Sequence, residues 1–310
     1  MRILLIGNEP FRSHHTQIIR RFLEKENEVD YINERSYDLQ PDPHEIRLEK
    51  DYDYVIVFQN NNTFKIVKNG YDTRVIQYCE EQYWKVSCVN PDYLILGLPE
   101  LKRKYQFVYP NYFSQLKGVL ETTPHVNIDE YDPNCPKKPG VFYQGFRFTK
   151  ELLDTNYHLF RRAYDNRSNF LKEVDDIVEI LPIDYENDYA KSISTLEANL
   201  VIQSNESYMS KRPVENMAAG SINLLHIKDS YQIHYYEKMG FVNMVNCYFI
   251  INRNDILDFI RLDSEKKAEI RKNAYELFIE RFTTQVMWDE WVKWINDLEF
   301  DKYVKEHEVK

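Results

Sequence analysis

The sequence predicts an α/β fold of two doubly wound, Rossmann-like domains, and three observations carry that expectation. The chain has 310 residues, enough for two domains of ordinary size, because larger single cores tend to split. Short apolar runs of strand length alternate with amphipathic stretches at helical spacing, the rhythm of a parallel sheet covered by crossover helices. That rhythm stops at a proline-containing stretch and then starts again.

The first run, residues 2–7, is apolar and ends in Gly7, which reads as a buried parallel strand feeding a turn. Residues 13–26 place Ile18, Ile19, Phe22 and Leu23 at helical spacing, and a strand resumes over 28–32. Further strands are expected over 54–58, 74–78, 93–96 and 106–110. Residues 122–139 hold Pro124, Pro133, Pro136 and Pro139 without sustained periodicity and form the linker candidate. The second series has strands over 140–145, 177–181, 198–203, 222–226 and 247–250, with helices through Leu152, Leu159 and Phe160 and over 213–219. The C-terminal stretch is charged and helical, with Trp288, Trp291, Trp294, Ile295 and Leu298 on an apolar face, as a closing helix packed across both domains requires. The domains expected are therefore 1–130, 140–285 and a C-terminal helix over 286–310.

Composition narrows the chemistry. With 43% hydrophobic and 29% charged residues the chain is a folded globular protein, and only 8 glycines argue against a glycine-rich phosphate loop. Cys79, Cys88, Cys135 and Cys247 are scattered, with no spacing suited to zinc or to a disulfide framework. No run of about 18 apolar residues occurs and the N-terminus turns polar too soon for a secretory segment, so a cytoplasmic protein without a membrane span is expected. A net charge of −10 disfavours passive binding to nucleic acid, though it leaves room for a local basic patch.

The stretch Ser210-Lys211-Arg212-Pro213-Val214-Glu215-Asn216-Met217-Ala218-Ala219-Gly220-Ser221 lies between two expected strands. Pro213 suits the first turn of a helix and Gly220 the position just past its end, which places the helix N-terminus at Lys211 and Arg212. Unpaired N–H groups, the helix dipole and two cations there suit a diphosphate, and Glu215, one turn in, suits a ribose diol. The plainer reading is two solvated cations and a first-turn acid that favours the dipole.

The segment R-P-V-E-N-M-A-A-G-S-I-N-L-L resembles the R/K-x-x-E-x-M/L-A-x-G segment of GT-B glycosyltransferases, of the CgeB-like and group 1 kinds, and is also similar to a segment of phage DNA glucosyltransferases. The resemblance implies the GT-B architecture, two Rossmann-like domains with an interdomain cleft, and assigns Glu215 to the donor ribose and Arg212 to its phosphates. Residues 141–147 resemble the first strand and glycine turn of the donor domain, which implies that Gly145 permits close approach and Arg147 reaches the phosphates. The N-terminal domain is then the acceptor side, where Glu9, His14 and Asp92 are candidate general bases. The adjacent His14 and His15 point about 100° apart on a helix and do not make a metal site. Two departures stand out: the N-terminal glycine loop is reduced to Gly7, and the position seven before Glu215 is Tyr208, with Glu206 nine before, which departs from the retaining E-x7-E pattern.

The function implied is transfer of a hexosyl or pentosyl group from a nucleotide sugar, a UDP-sugar favoured, to a hydroxyl acceptor. No cofactor or metal is required; the nucleotide sugar is a co-substrate. The acceptor stays open between a surface glycan, a small molecule and DNA. In the phage-type alternative the acceptor is a hydroxymethylated base, with Lys102, Arg103, Lys104 and Tyr105 on the phosphates in the host cytoplasm. The other alternative is a non-catalytic nucleotide-sugar-binding module.

Overall fold

In the computed structural model, strand β1 (Arg2–Gly7) runs through the middle of a sheet, with every residue after Arg2 buried, as an apolar run without polar alternation demands. The structure describes residues 1–7, 14–33, 43–58, 63–79, 86–97, 101–144, 161–181, 189–202 and 211–307. Around β1 lie β2 (Glu28–Asn33), β4 (Tyr54–Phe58), β6 (Arg74–Cys79), β7 (Tyr93–Leu96) and β8 (Gly118–Glu121), in the order β2-β1-β4-β6-β7-β8. Every pairing is parallel.

The two faces of this sheet are covered differently. On one, Ile3, Leu5, Ile56 and Ile76 pack with Ile19 and Leu23 of helix His14–Leu23 and with Trp288, Trp291 and Ile295 of helix Thr284–His307. Tyr78 and Trp291 lie 4.9 Å apart, and Tyr54 meets Trp288 edge-on at 5.8 Å. On the other face, Leu4, Ile6, Val55 and Val57 are covered by a small parallel ribbon, β3 (His44–Arg47) and β5 (Phe64–Val67), through Ile46, Phe64 and Ile66. The C-terminal helix thus belongs to the first unit, Met1–Asn127 with Thr284–Lys310, while Ile128–Thr283 forms the second.

Residues 106–108, expected in a strand, instead close helix Leu101–Val108, and Pro110 opens the short helix Pro110–Phe113. The Glu121 carboxylate accepts from the Lys102 N–H at 2.8 Å and so satisfies one of the helix's open donors. A strand would have needed a buried face here, and Phe107 is 87% exposed.

The second unit repeats the parallel scheme. Its strands are β9 (Lys138–Gln144), β10 (Glu179–Leu181), β11 (Leu196–Val201), β12 (Ile222–His226) and β13 (Tyr248–Ile250), ordered β10-β9-β11-β12-β13. One face buries Val141, Ala198, Leu200, Ile222 and Leu224 against helices Arg161–Val174, Arg253–Arg261 and Ser264–Arg281. The helix expected through Leu152 and Phe160 lies outside the described residues.

Candidate functional site

Helix Arg212–Ala218 is fixed in place by its own sequence. Lys211 is the N-cap, and Pro213 sits in the first turn, where its missing N–H costs nothing. Gly220, just past the C-cap Ala219, has φ +65°, and a Cβ there would fall 2.6 Å from the Pro133 carbonyl oxygen. Asn216 donates to Asn223 Oδ1 of β12 at 2.8 Å, and Asn223 donates to the Pro213 carbonyl at 2.9 Å. These groups are buried, so their pairing fixes the seat of the helix on the sheet.

From that seat Glu215 is held by two neighbours. Its Oε2 accepts from the Tyr189 hydroxyl at 2.9 Å and lies 3.4 Å from Arg212 Nε. Arg212 also donates through Nη1 to the Gln144 carbonyl at 2.6 Å, and its guanidinium stands 4.7 Å from the centre of the Tyr189 ring. Glu215 is only 8% exposed, and a cation and a hydroxyl lie against its carboxylate. Among the described residues nothing donates to Oε1. Burial, and then the charge of Glu215, push the Tyr189 hydroxyl well above the ordinary phenol range; the same two causes act on Tyr131. Tyr189 therefore stays protonated and remains a donor.

The cluster has a definite address. Gln144 ends β9, and the chain passes from β9 to β10 on one side and then returns to β11 on the other. Open parallel sheets bind ligands outside the carboxyl ends of their strands at such a reversal point. Arg212, Glu215 and Tyr189 are gathered beside that end of β9.

Of the residues singled out in the sequence, Lys211, Arg212 and Glu215 fall together on this helix. Glu9, Gly145 and Arg147 lie outside the described residues, and His14 opens helix His14–Leu23 in the first unit. Asp92 is misplaced for a base. It precedes β7, at the amino end of the sheet, where it accepts from Lys68 at 2.7 Å and from the Val75 N–H at 2.8 Å and pairs with Lys117 at 3.0 Å. Burial pushes its carboxyl up, but Lys68, the Val75 N–H and Lys117 outweigh that and hold it below the usual range, which makes it a structural clamp. Lys102 to Tyr105 fall within helix Leu101–Val108 of the first unit.

Tyr189, Tyr131 and Gln144 were missed in the sequence. Among 24 tyrosines none carries a distinguishing pattern, and only the place of Gln144 next to Gly145 pointed to the right strand end. Among the described residues no group of three or more His, Cys, Asp or Glu is placed to hold a metal, and no described helix is long and apolar enough to cross a membrane.

No described sequence family and no curated protein matches the chain. Solved structures do. HepE of Anabaena, in complex with UDP, is similar over 96% of this chain and 100% of its own, at 10% identity and a TM-score of 0.51. A sucrose-phosphate synthase from Thermosynechococcus elongatus is similar over 97% and 100%, at 12% identity and a TM-score of 0.56. The N-terminal domain of Candida albicans trehalose-6-phosphate phosphatase is similar over 96% and 97%, at 8% identity and a TM-score of 0.58. HepE and the synthase are GT-B glycosyltransferases. With two parallel α/β units in series and full-length likeness to these structures, the chain has the GT-B fold.

Proposed function

We propose that this protein is a glycosyltransferase that moves a hexosyl or pentosyl group from a nucleotide sugar, a UDP-sugar by preference, to a hydroxyl acceptor. The observation that carries the reading is Glu215, a buried carboxylate anchored through Oε2 by Tyr189 and Arg212 beside the carboxyl end of β9, with no donor to Oε1 among the described residues. A carboxylate held this way suits a vicinal diol, which presents two hydroxyl donors, and so suits the ribose of the donor. HepE, which shares the fold, has been solved with UDP and with UDP-glucose.

In this reading Lys211 and Arg147 bind the diphosphate, and Arg212 both orients Glu215 and adds positive potential. Gly145 allows the donor close to β9. As the glycosidic bond breaks, negative charge grows on the leaving diphosphate, and fixed cations stabilise that charge more than they stabilise the bound donor. This supplies the leaving-group stabilisation without a metal. Glu9 and His14 are the candidates to take the acceptor proton.

The test is to measure binding and slow hydrolysis of a panel of nucleotide sugars by the wild type and by Glu215→Ala. Selective binding with nucleotide release, weakened in the variant, is expected. No binding, or binding indifferent to Glu215, would sink the site. Binding without any nucleotide release would favour a binding module, a reading that the likeness to a domain of a phosphatase keeps in view.

A further inference from the structure

The segment expected to be a bare linker is instead bonded to the helix that carries Glu215. Asp132 donates its N–H to Ser194 Oγ at 3.1 Å, and the Pro133 carbonyl abuts Gly220. Lys137 then places its ammonium between two helix ends. Nζ donates to the Ser194 carbonyl at 2.6 Å and to the Ala219 carbonyl at 2.6 Å. Ser194 is the last residue of helix Tyr189–Ser194, and Ala219 is the C-cap of helix Arg212–Ala218.

These are the two helices whose other ends meet at the site, where Tyr189 donates to Glu215. One cation thus serves both C-terminal ends, where open carbonyls and the negative ends of two dipoles favour positive charge. Ser221 adds a second tie there, since its hydroxyl is within hydrogen-bonding distance of the Ile193 carbonyl at 3.0 Å and the Leu196 carbonyl at 2.6 Å. With the helices joined at both ends, a shift at the Lys137 end moves the Tyr189–Glu215 contact.

We infer that Lys137 is a positioning residue for the donor site: it acts through the two helices it caps to hold Tyr189 against Glu215, and so sets the affinity for the nucleotide part of the donor. The inference rests on the glycosyltransferase reading. Lys137 itself touches neither Glu215 nor Arg212. Burial, and then the charge of Arg271, bring its ammonium down to about 8, opposed by Cys135 and Asp132. The two carbonyls also favour the charged form, so the cap is charged at neutral pH and loses that charge, and its pull on the two dipoles, as the solution becomes alkaline.

The experiment measures UDP binding by calorimetry for the wild type, Lys137→Met, Lys137→Arg and Asn246→Ala. The last removes a loop clamp elsewhere in the same unit and controls for general destabilisation. Lys137→Met is expected to bind UDP about tenfold more weakly at pH 7, the scale of one charged hydrogen bond. Asn246→Ala is expected to bind as the wild type does. Between pH 7 and 9.5 wild-type affinity should fall relative to Lys137→Arg, whose guanidinium keeps its proton and so corrects for titration of the nucleotide. A folded Lys137→Met variant with wild-type affinity overturns the inference. If that variant does not fold, matching pH profiles for the wild type and Lys137→Arg overturn it. A wild type that binds no UDP or other nucleoside diphosphate defeats the parent reading as well, whereas normal wild-type binding with an indifferent Lys137→Met defeats this inference alone.

Discussion

The Tyr189 hydroxyl donates to Glu215 Oε2 at 2.9 Å inside the second unit, joining the first residue of one helix to the first-turn acid of the next. Replacing Tyr189 by Phe keeps the ring beneath Arg212 and removes only the donor. We expect Tyr189→Phe to lose about 1.5–3 kcal/mol of stability, the range for a hydrogen bond to a charged group. The urea midpoint at unchanged m-value reads this. A variant as stable as the wild type would show that the bond contributes nothing.

Gly220 and Gly70 give a paired test of backbone and contact. Both have positive φ, +65° and +89°, but an added Cβ meets the Pro133 carbonyl at Gly220 and nothing within 4 Å at Gly70. Gly70→Ala should cost about 1 kcal/mol, the backbone share alone. Gly220→Ala should cost about 2 kcal/mol or more, because the Pro133 segment must also move. Equal losses in urea unfolding would mean that the close approach has no energetic consequence.

Asp92 ties Lys68, Lys117 and the start of β6 together, and its carboxyl titrates below the usual range. A carboxyl lowered in the folded state contributes stability above its unfolded pKa, about 3.9, and loses it as pH falls through the folded value. Asp92→Asn should therefore destabilise at pH 7, with the difference from wild type shrinking below about pH 4. A difference that stays constant from pH 7 to pH 3 would contradict this.

His226 acts in the same direction, through burial of its neutral form. It is buried at the end of β12, stacked on Phe170 at 3.9 Å, and burial followed by the charge of Lys228 brings its imidazole down to about 4. The unfolded chain takes the proton near pH 6.5 and the folded one does not, so stability falls as pH drops from about 6.5 towards 4. NMR titration of the ring should show no protonation at pH 6. His226→Phe, which cannot charge, should flatten this part of the acid limb.

The strands most legible in the sequence include those buried on both faces. Tyr54–Phe58 is apolar throughout, Arg2–Gly7 is so after its first residue, Ile222–His226 is mostly so, and the helix at Arg212 is marked by proline at its start and glycine past its end. The ribbon of β3 and β5 was not legible, because its four-residue strands are half exposed and give too short an alternation. Residues 106–108 misled because three residues before a proline fit a strand or a helix end equally, and the deciding cap, Glu121, is distant in sequence. At the site the sequence marked Lys211, Arg212 and Glu215, which share one helix, but not Tyr189, which bonds Glu215, or Lys137, which bonds the Ala219 carbonyl past the same helix, both only through tertiary structure.

The first unit is made of both ends of the chain, with the second spliced between them, and the splice is narrow: the Thr284 N–H donates to the Val126 carbonyl at 3.1 Å. This orders events during synthesis. As the polypeptide leaves the ribosome, residues 1–127 emerge without Trp288, Trp291 and Ile295, which complete the apolar face of their sheet. The second unit, a continuous stretch, has all its strands available while that face is still bare. The half that is translated first is therefore the half that matures last, and over that interval its open sheet is the surface a chaperone would have to shield.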